Sequence, residues 1–147
     1  MSSDASLSRP TLSDAGAARA LDAAVGEARS IGVPVTVVIV DDGGNPKAFR
    51  RMDRAPLVSI QTAQNKAYAS AAIGMPGDDF FDAIKADAAA VASFASRPGL
   101  ALIAGGMPLL INDSVVGGVG VAGAMTGVED RQIAEAAVRS LRDQVNG

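Results

Sequence analysis

"VVGGVGVAGAMTGVEDRQIA", residues 115–134, sets four glycines between positions 117 and 123 of an apolar run and then passes into a charged segment. The valines between the glycines predict a strand. Thr126, with Glu129 three residues on, forms a capping box that opens a helix, and Ile133, Ala136, Ala137 and Leu141 fall on one face of it. Gly118, Gly120 and Gly123 satisfy G-x-G-x-x-G, but a dinucleotide fingerprint needs its glycines in a tight turn of a βαβ unit, and here they lie within the strand. Glycines inside a strand mark a bulge, or the close approach of another backbone or a flat ligand. The helix start offers free N–H groups to an anion. Glu129 and Asp130 already place negative charge there, so self-capping is the expected use.

Working outward, residues 100–123 alternate apolar segments with turns at Gly105-Gly106 and Asn112-Asp113, which predicts three short antiparallel strands. Residues 77–99 read as one or two short helices, broken by Pro98 and Gly99. "APLVSIQTAQNKAYASAAIG", residues 55–74, predicts a helix that starts near Pro56 and stops at Gly74. On it Ser59, Thr62 and Lys66 form a narrow polar stripe, expected to face solvent or line a pocket. The β-branched run Val35–Val40, the turn cluster Asp41–Asn45 and a second strand from Lys47 to Met52 make a hairpin whose first strand is buried on both faces. Ser13 caps an Ala-rich helix over residues 12–30 that ends near Gly32. The order α-β-β-α-α-β-β-β-α is that of a mixed α/β (α+β) domain around an antiparallel sheet of about five strands.

The 147 residues suit one domain, residues 1–147, with residues 1–10 as a flexible or oligomer-contacting segment. Hydrophobic content is 48% against 20% charged, yet no apolar run approaches the roughly 18 residues of a membrane span. The surplus apolar surface points to a homo-oligomer. A net charge of −3, one Tyr and four Phe leave neither a basic footprint nor a stacking platform for nucleic acid. The N-terminus has no basic start and no apolar core of a secretory signal. With no cysteine in the chain, the cytoplasm is the expected location.

The absence of His and Cys removes the common zinc and haem-iron ligands, the thiol nucleophile and imidazole acid–base chemistry. What remains is carboxylates, Lys, Tyr68 or a bound cofactor. Arg51, Asp53 and Lys66 are expected to converge where strand meets helix, as two donors and one carboxylate; the same residues fit a structural ion-pair network. Asp41-Asp42 and Asp78-Asp79 lack the further oxygen ligands of a calcium loop, so no metal site is expected. The methionines suit core filling, with Met52, Met107 and Met125 beside the glycine-rich turns at the border of an apolar pocket.

Two blocks carry a resemblance. "VVIVDDGGNPKAFRRMDRAPLVSIQTAQNKAYAS" is similar to the V-V-D-x-x-G…R-x-D-x-A…S-I…A-x-x-K-A pattern of GlcG/HbpS-like proteins, which include the C-terminal domain of PduO-type proteins. "IAGGMPLLINDSVVGGVGVAGAMTGVEDRQIAEAAV" is similar to their second block, G-G-x-P…G-x-G-V-S-G…D-x-x-I-A, with Ala122 in place of the usual Ser. Order and spacing agree over residues 12–143. The resemblance implies a profilin-like sandwich, homo-oligomeric assembly and, for some members, binding of haem or related tetrapyrroles. Position by position it points to Asp41, Arg51, Asp53, Lys66, Gly105, Gly106, Gly120, Gly123 and Asp130.

Three functions follow as expectations. In a haem- or tetrapyrrole-binding protein, Arg51 and Lys66 would hold propionates beside Gly105, Gly106, Gly120 and Gly123. Without histidine, the iron would be left with Tyr68, a Met, Lys66 or weaker oxygen donors. In a cofactor-independent lyase or isomerase acting on a small organic acid or aromatic substrate, Arg51 would anchor a carboxylate while Lys66 or Asp53 moves a proton. In a non-catalytic oligomeric accessory protein, the glycines would serve subunit packing.

Overall fold

A computed structural model describes residues 4–145. Strand β1 (Thr36–Asp41) organises the rest. Successive side chains of a strand point to opposite faces, so Val35, Val37 and Ile39 enter one apolar cluster while Val38 and Val40 enter another. β1 pairs antiparallel with β2 (Pro46–Arg51) on one side and with β4 (Ser114–Ala122) on the other; β4 then pairs with β3 (Gly106–Ile111). The sheet order is β2-β1-β4-β3.

The first face is covered by α1 (Asp14–Ile31) and α5 (Gly127–Val145). Ser13 Oγ accepts from the Gly16 N–H at 3.0 Å, and Gly32 ends α1 in the left-handed region at φ 72°. Small residues at Ala17, Ala20, Ala24 and Ala28 bring α1 close to the sheet and to Ile133, Ala137 and Leu141 of α5. The second face carries α2 (Ser59–Ile73), packed through Ala63, Ala67 and Ala71 on Val38, Val40 and Ala122. Beyond α2 lie α3 (Gly77–Ile84) and α4 (Ala88–Ala95), the latter capped by Asp87, which accepts from the Ala89 and Ala90 N–H groups.

The α+β class and antiparallel sheet are as expected, but the sheet has four strands, not five. The apolar stretch Leu100–Ala104 is not a strand. β3 is an edge strand that begins only at Gly106, and Leu100, Leu102 and Ile103 instead line a hollow with Phe81 and Phe94 of α3 and α4. Helix α2 starts at Ser59, three residues after Pro56, because Pro56 and Leu57 form a turn whose carbonyls accept from the Ser59 and Ile60 N–H groups. Residues 4–13 form no helix or strand. They are nevertheless tied down: Arg9 pairs with Asp42 at 2.9 Å, and the Leu12 N–H donates to Val116 O. The hydroxyl of Thr11, together with Arg9, holds the Asp42 carboxyl below its ordinary pKa. Residues 1–3 of the expected flexible segment lie outside the described residues. Among the described residues no helix is long and apolar enough to cross a membrane, and no carboxylate cluster could hold a metal ion.

Candidate functional site

Helix α2 itself fills the space above the glycine-rich strand. A Cβ on Gly118 would stand 2.5 Å from Ala67 O, one on Gly106 would stand 2.5 Å from Lys66 O, and one on Gly120 would collide with Ala63 O and lie 2.5 Å from Ala67 N. All of these partners are backbone atoms of one helix. The polar stripe is therefore split: Ser59 and Lys66 face the sheet, while Thr62 stays partly exposed. Ser59 and Lys66 are buried; Ser59 Oγ bonds Thr36 Oγ1 of β1 at 2.8 Å, and Thr62 Oγ1 donates to Val58 O within its own helix.

Lys66 is 2% exposed. Its ammonium donates to Val121 O at 2.8 Å and to Asp130 Oδ2 at 3.1 Å, across 64 residues of sequence. Asp130, 5% exposed on the first turn of α5, also accepts from the Ala124 N–H at 3.1 Å through Oδ1. Burial pushes the Lys66 pKa down and Asp130 attracts it back up; burial pushes Asp130 up and Lys66 pulls it down. Gly105, at φ 113°, makes room for the pair, since a Cβ there would stand 2.9 Å from Lys66 Nζ and 2.9 Å from Asp130 Cβ. The pair clamps α2, the end of β4 and the start of α5 together.

Arg51 and Asp53 are exposed, whereas Lys66 is buried. Arg51 pairs with Thr36, and Thr36 with Ala122. Two strand spacings, roughly 10 Å, thus separate the Arg51 backbone from the strand end where Lys66 is anchored. Among the described residues no hydrogen bond or ion pair joins Arg51 or Asp53 to Lys66. Asp41 is a turn former: its Oδ1 accepts from the Gly43 and Asn45 N–H groups. Asp78 and Asp79 bind Arg131 of α5 at 2.7 and 3.1 Å, hydrogen bonds that hold this guanidinium well above its usual pKa.

Gly123 lies elsewhere. At φ 125°, past the end of β4, it lines a cavity of about 390 Å³ with Val33, Pro34, Arg54, Pro56 and Met125. Arg54 holds a backbone conformation unusual for its type. The Met52–Ala55 turn, closed by the Ala55 N–H on Met52 O, places Arg54 third, at φ 71°, where glycine is the ordinary choice. Its guanidinium has no hydrogen bond or ion pair among the described residues. Glu129, the other charged group in the wall, accepts from Thr126 Oγ1 at 3.0 Å. The result is a cavity with proline, valine and glycine walls and one uncommitted cation. Nothing in the sequence singled out Arg54; a non-glycine residue in a glycine position becomes visible only in the turn.

Residues 12–139 match the family described as "Haem degrading protein HbpS-like". The chain belongs to the HbpS-like family. An uncharacterised 15.0 kDa protein from the dhaT–dhaS intergenic region of Citrobacter freundii is 33% identical over 129 residues, 87% of this chain and 90% of that one. Streptomyces reticuli HbpS, in a double-mutant form, superposes with a TM-score of 0.84 at 30% identity, covering 96% of this chain and 94% of that one. The haem complex of PduOC superposes with a TM-score of 0.80 at 28% identity, covering 88% and 94%. HbpS-like membership accords with the two sequence blocks, both of which lie within or overlap the matched residues.

Proposed function

We propose that this HbpS-like protein binds a flat, carboxylated tetrapyrrole of the haem class in the cavity between Arg54 and Met125. The observation that carries the reading is Arg54: an unpaired guanidinium, held at a left-handed φ, on the rim of a cavity whose other charged group, Glu129, is engaged by Thr126. Non-glycine residues at such φ cost about 1 kcal/mol or more and persist where something requires them. The residues fit the group. Proline, valine and glycine walls suit the face of a macrocycle, and a guanidinium pairs a propionate in bidentate fashion. Family membership and the haem complex of a relative support the same class. Bound haem would contribute redox-active iron. An acid–base enzyme built on Arg51, Asp53 and Lys66 has less support, because Lys66 is buried in its ion pair with Asp130.

The test is a Soret titration of the wild type and of Arg54→Gly. The substitution suits the turn, so stability should hold or rise by up to about 1 kcal/mol, while affinity should fall about tenfold, equivalent to about 1.4 kcal/mol. A wild type with no saturable shift refutes the reading.

We also propose that a second copy of the chain covers α4. Seven of the eight residues in AAAVASFA are apolar and none is buried, whereas a helix apolar on all sides belongs in an interior. Such a surface needs a partner that is always present, and another copy meets that condition. The rim carries Asp82, Asp87, Lys85 and Arg97, both signs together, so two copies can face one another without a net like-charge repulsion. Ala92 is exposed on α4. Ala92→Glu should leave the circular dichroism spectrum intact and lower the mass in sedimentation equilibrium. A monomeric wild type, or an unchanged assembly in the variant, refutes the proposal.

A further inference from the structure

Met125 is an apolar side chain left 96% exposed on the rim of the Arg54 cavity. Its backbone is not loose. Gly123 turns the chain at φ 125°, the Ala124 N–H is bonded to Asp130, and Asp130 is held by Lys66. An exposed thioether thus stands on a fixed base, anchored by the most buried ion pair in the described residues. Core filling does not explain it; Met52 and Met107 fill the core, packed on the main cluster.

Of the other candidate donors to iron, Glu129 shares the cavity wall but accepts from Thr126, and the rest lie outside it. The chain has no His and no Cys. Lys66 Nζ is buried with its two acceptors, and Tyr68 lies over Gly44, in a different hollow lined by Gln61 and Gln64. Met75 directly follows Gly74, the C-cap of α2. Met1 lies outside the described residues.

We infer that Met125 Sδ is the protein's ligand to the iron of a tetrapyrrole seated in this cavity, a statement that rests on the binding function proposed above. A thioether is a soft donor that favours reduced iron and raises the reduction potential of the site. The ferrous complex is therefore the tighter one.

The experiment compares wild type and Met125→Leu, a volume-conserving change at an exposed position, against reduced haem and against metal-free protoporphyrin. The expected result is about tenfold weaker binding of reduced haem by the variant, with an altered ferrous spectrum and unchanged affinity for the metal-free ring. Equal loss for both ligands would make Met125 a packing residue and overturn the inference. Unchanged binding of both would overturn it too, while leaving the binding function standing. If the wild type takes up neither ring, the binding function falls and the inference with it.

Discussion

Replacing Gly120 by alanine tests whether the glycines of β4 exist for helix α2 or for a ligand. The added Cβ would collide with Ala63 O and lie 2.5 Å from Ala67 N and 3.0 Å from Ala63 C. None of these is the tip of a flexible side chain. Relief requires α2 to lift from β4 and β1, loosening Ala63, Ala67 and Ala71 from Val38, Val40 and Ala122 and straining the Lys66–Asp130 bond at the helix's other contact. Overpacking a close-fitted core by one methyl costs about 1–3 kcal/mol. Lower entropy of the unfolded alanine chain returns at most about 1 kcal/mol, but the blocked contact is helix backbone, so the upper end of the range applies. A net loss near 2–3 kcal/mol lowers Tm by roughly 5–12 °C in a chain of this size. The assay is urea and thermal unfolding of the ligand-free protein, with Gly26→Ala as control. Gly26 lies in α1 with nothing within 4 Å of its added Cβ, so that variant should gain about 1 kcal/mol. If Gly120→Ala unfolds like the wild type and differs only in ligand affinity, the space above β4 belongs to a ligand and the packing argument fails.

Lys66→Met should cost about 3 kcal/mol in denaturant unfolding, because Asp130 would stay buried without its cation; full stability in this variant would count against the clamp. Asp130 also predicts a pH signature. Its folded pKa is raised, so the folded state holds the proton more tightly and the contribution is fully present below the unfolded value of 3.8. Stability from this group is then lost as pH rises from 3.8 through the folded pKa. Asp130→Asn should lack that component, and parallel stability–pH curves for the two proteins would contradict it. Ser13→Ala removes the acceptor of the Gly16 N–H and should cost about 1 kcal/mol, read as a shift in the urea midpoint.

Local rules made much of this fold legible. Ser13 and Gly32 bracket α1, the Val35–Val40 run is a strand buried on both faces, and Thr126 with Glu129 opens α5, each because the signal lies within a few residues of its effect. The fifth strand failed for a non-local reason. Leu100–Ile103 is apolar enough for a strand, but β3 already forms the sheet edge and α3 and α4 offer apolar side chains instead. The site was only half legible. Lys66 and Asp130 stood out singly through the family pattern, yet their pairing spans 64 residues and depends on Gly105 leaving room at φ 113°. Met125 was legible only as a pocket-border residue beside the glycines, and Arg54 not at all: one matters through an exposure that its chemistry does not explain, the other through a backbone angle.

The glycines of residues 117–123 also constrain where a ligand can sit. Gly118 and Gly120 are covered by α2 backbone, and Gly105 and Gly106 by the Lys66 side chain and main chain, so a macrocycle has no access to them without unpacking the second layer of the sheet. Gly123 is different, because its nearest neighbours are Pro34, Val35 and Pro56 at 3.1 to 3.4 Å and it lies in a cavity wall. Gly123 lies two residues from the exposed Met125, on the segment that Asp130 fixes. Close packing at one end of β4 therefore makes a rigid floor for binding at the other. Loosening the clamp by Lys66→Met should weaken tetrapyrrole binding although Lys66 touches no ligand, whereas a propionate bond to Lys66 would require the ion pair to open first. The two cases separate in Lys66→Arg. That variant retains a cation for a propionate but overfills the space beside Gly105, so it should bind no better than Lys66→Met.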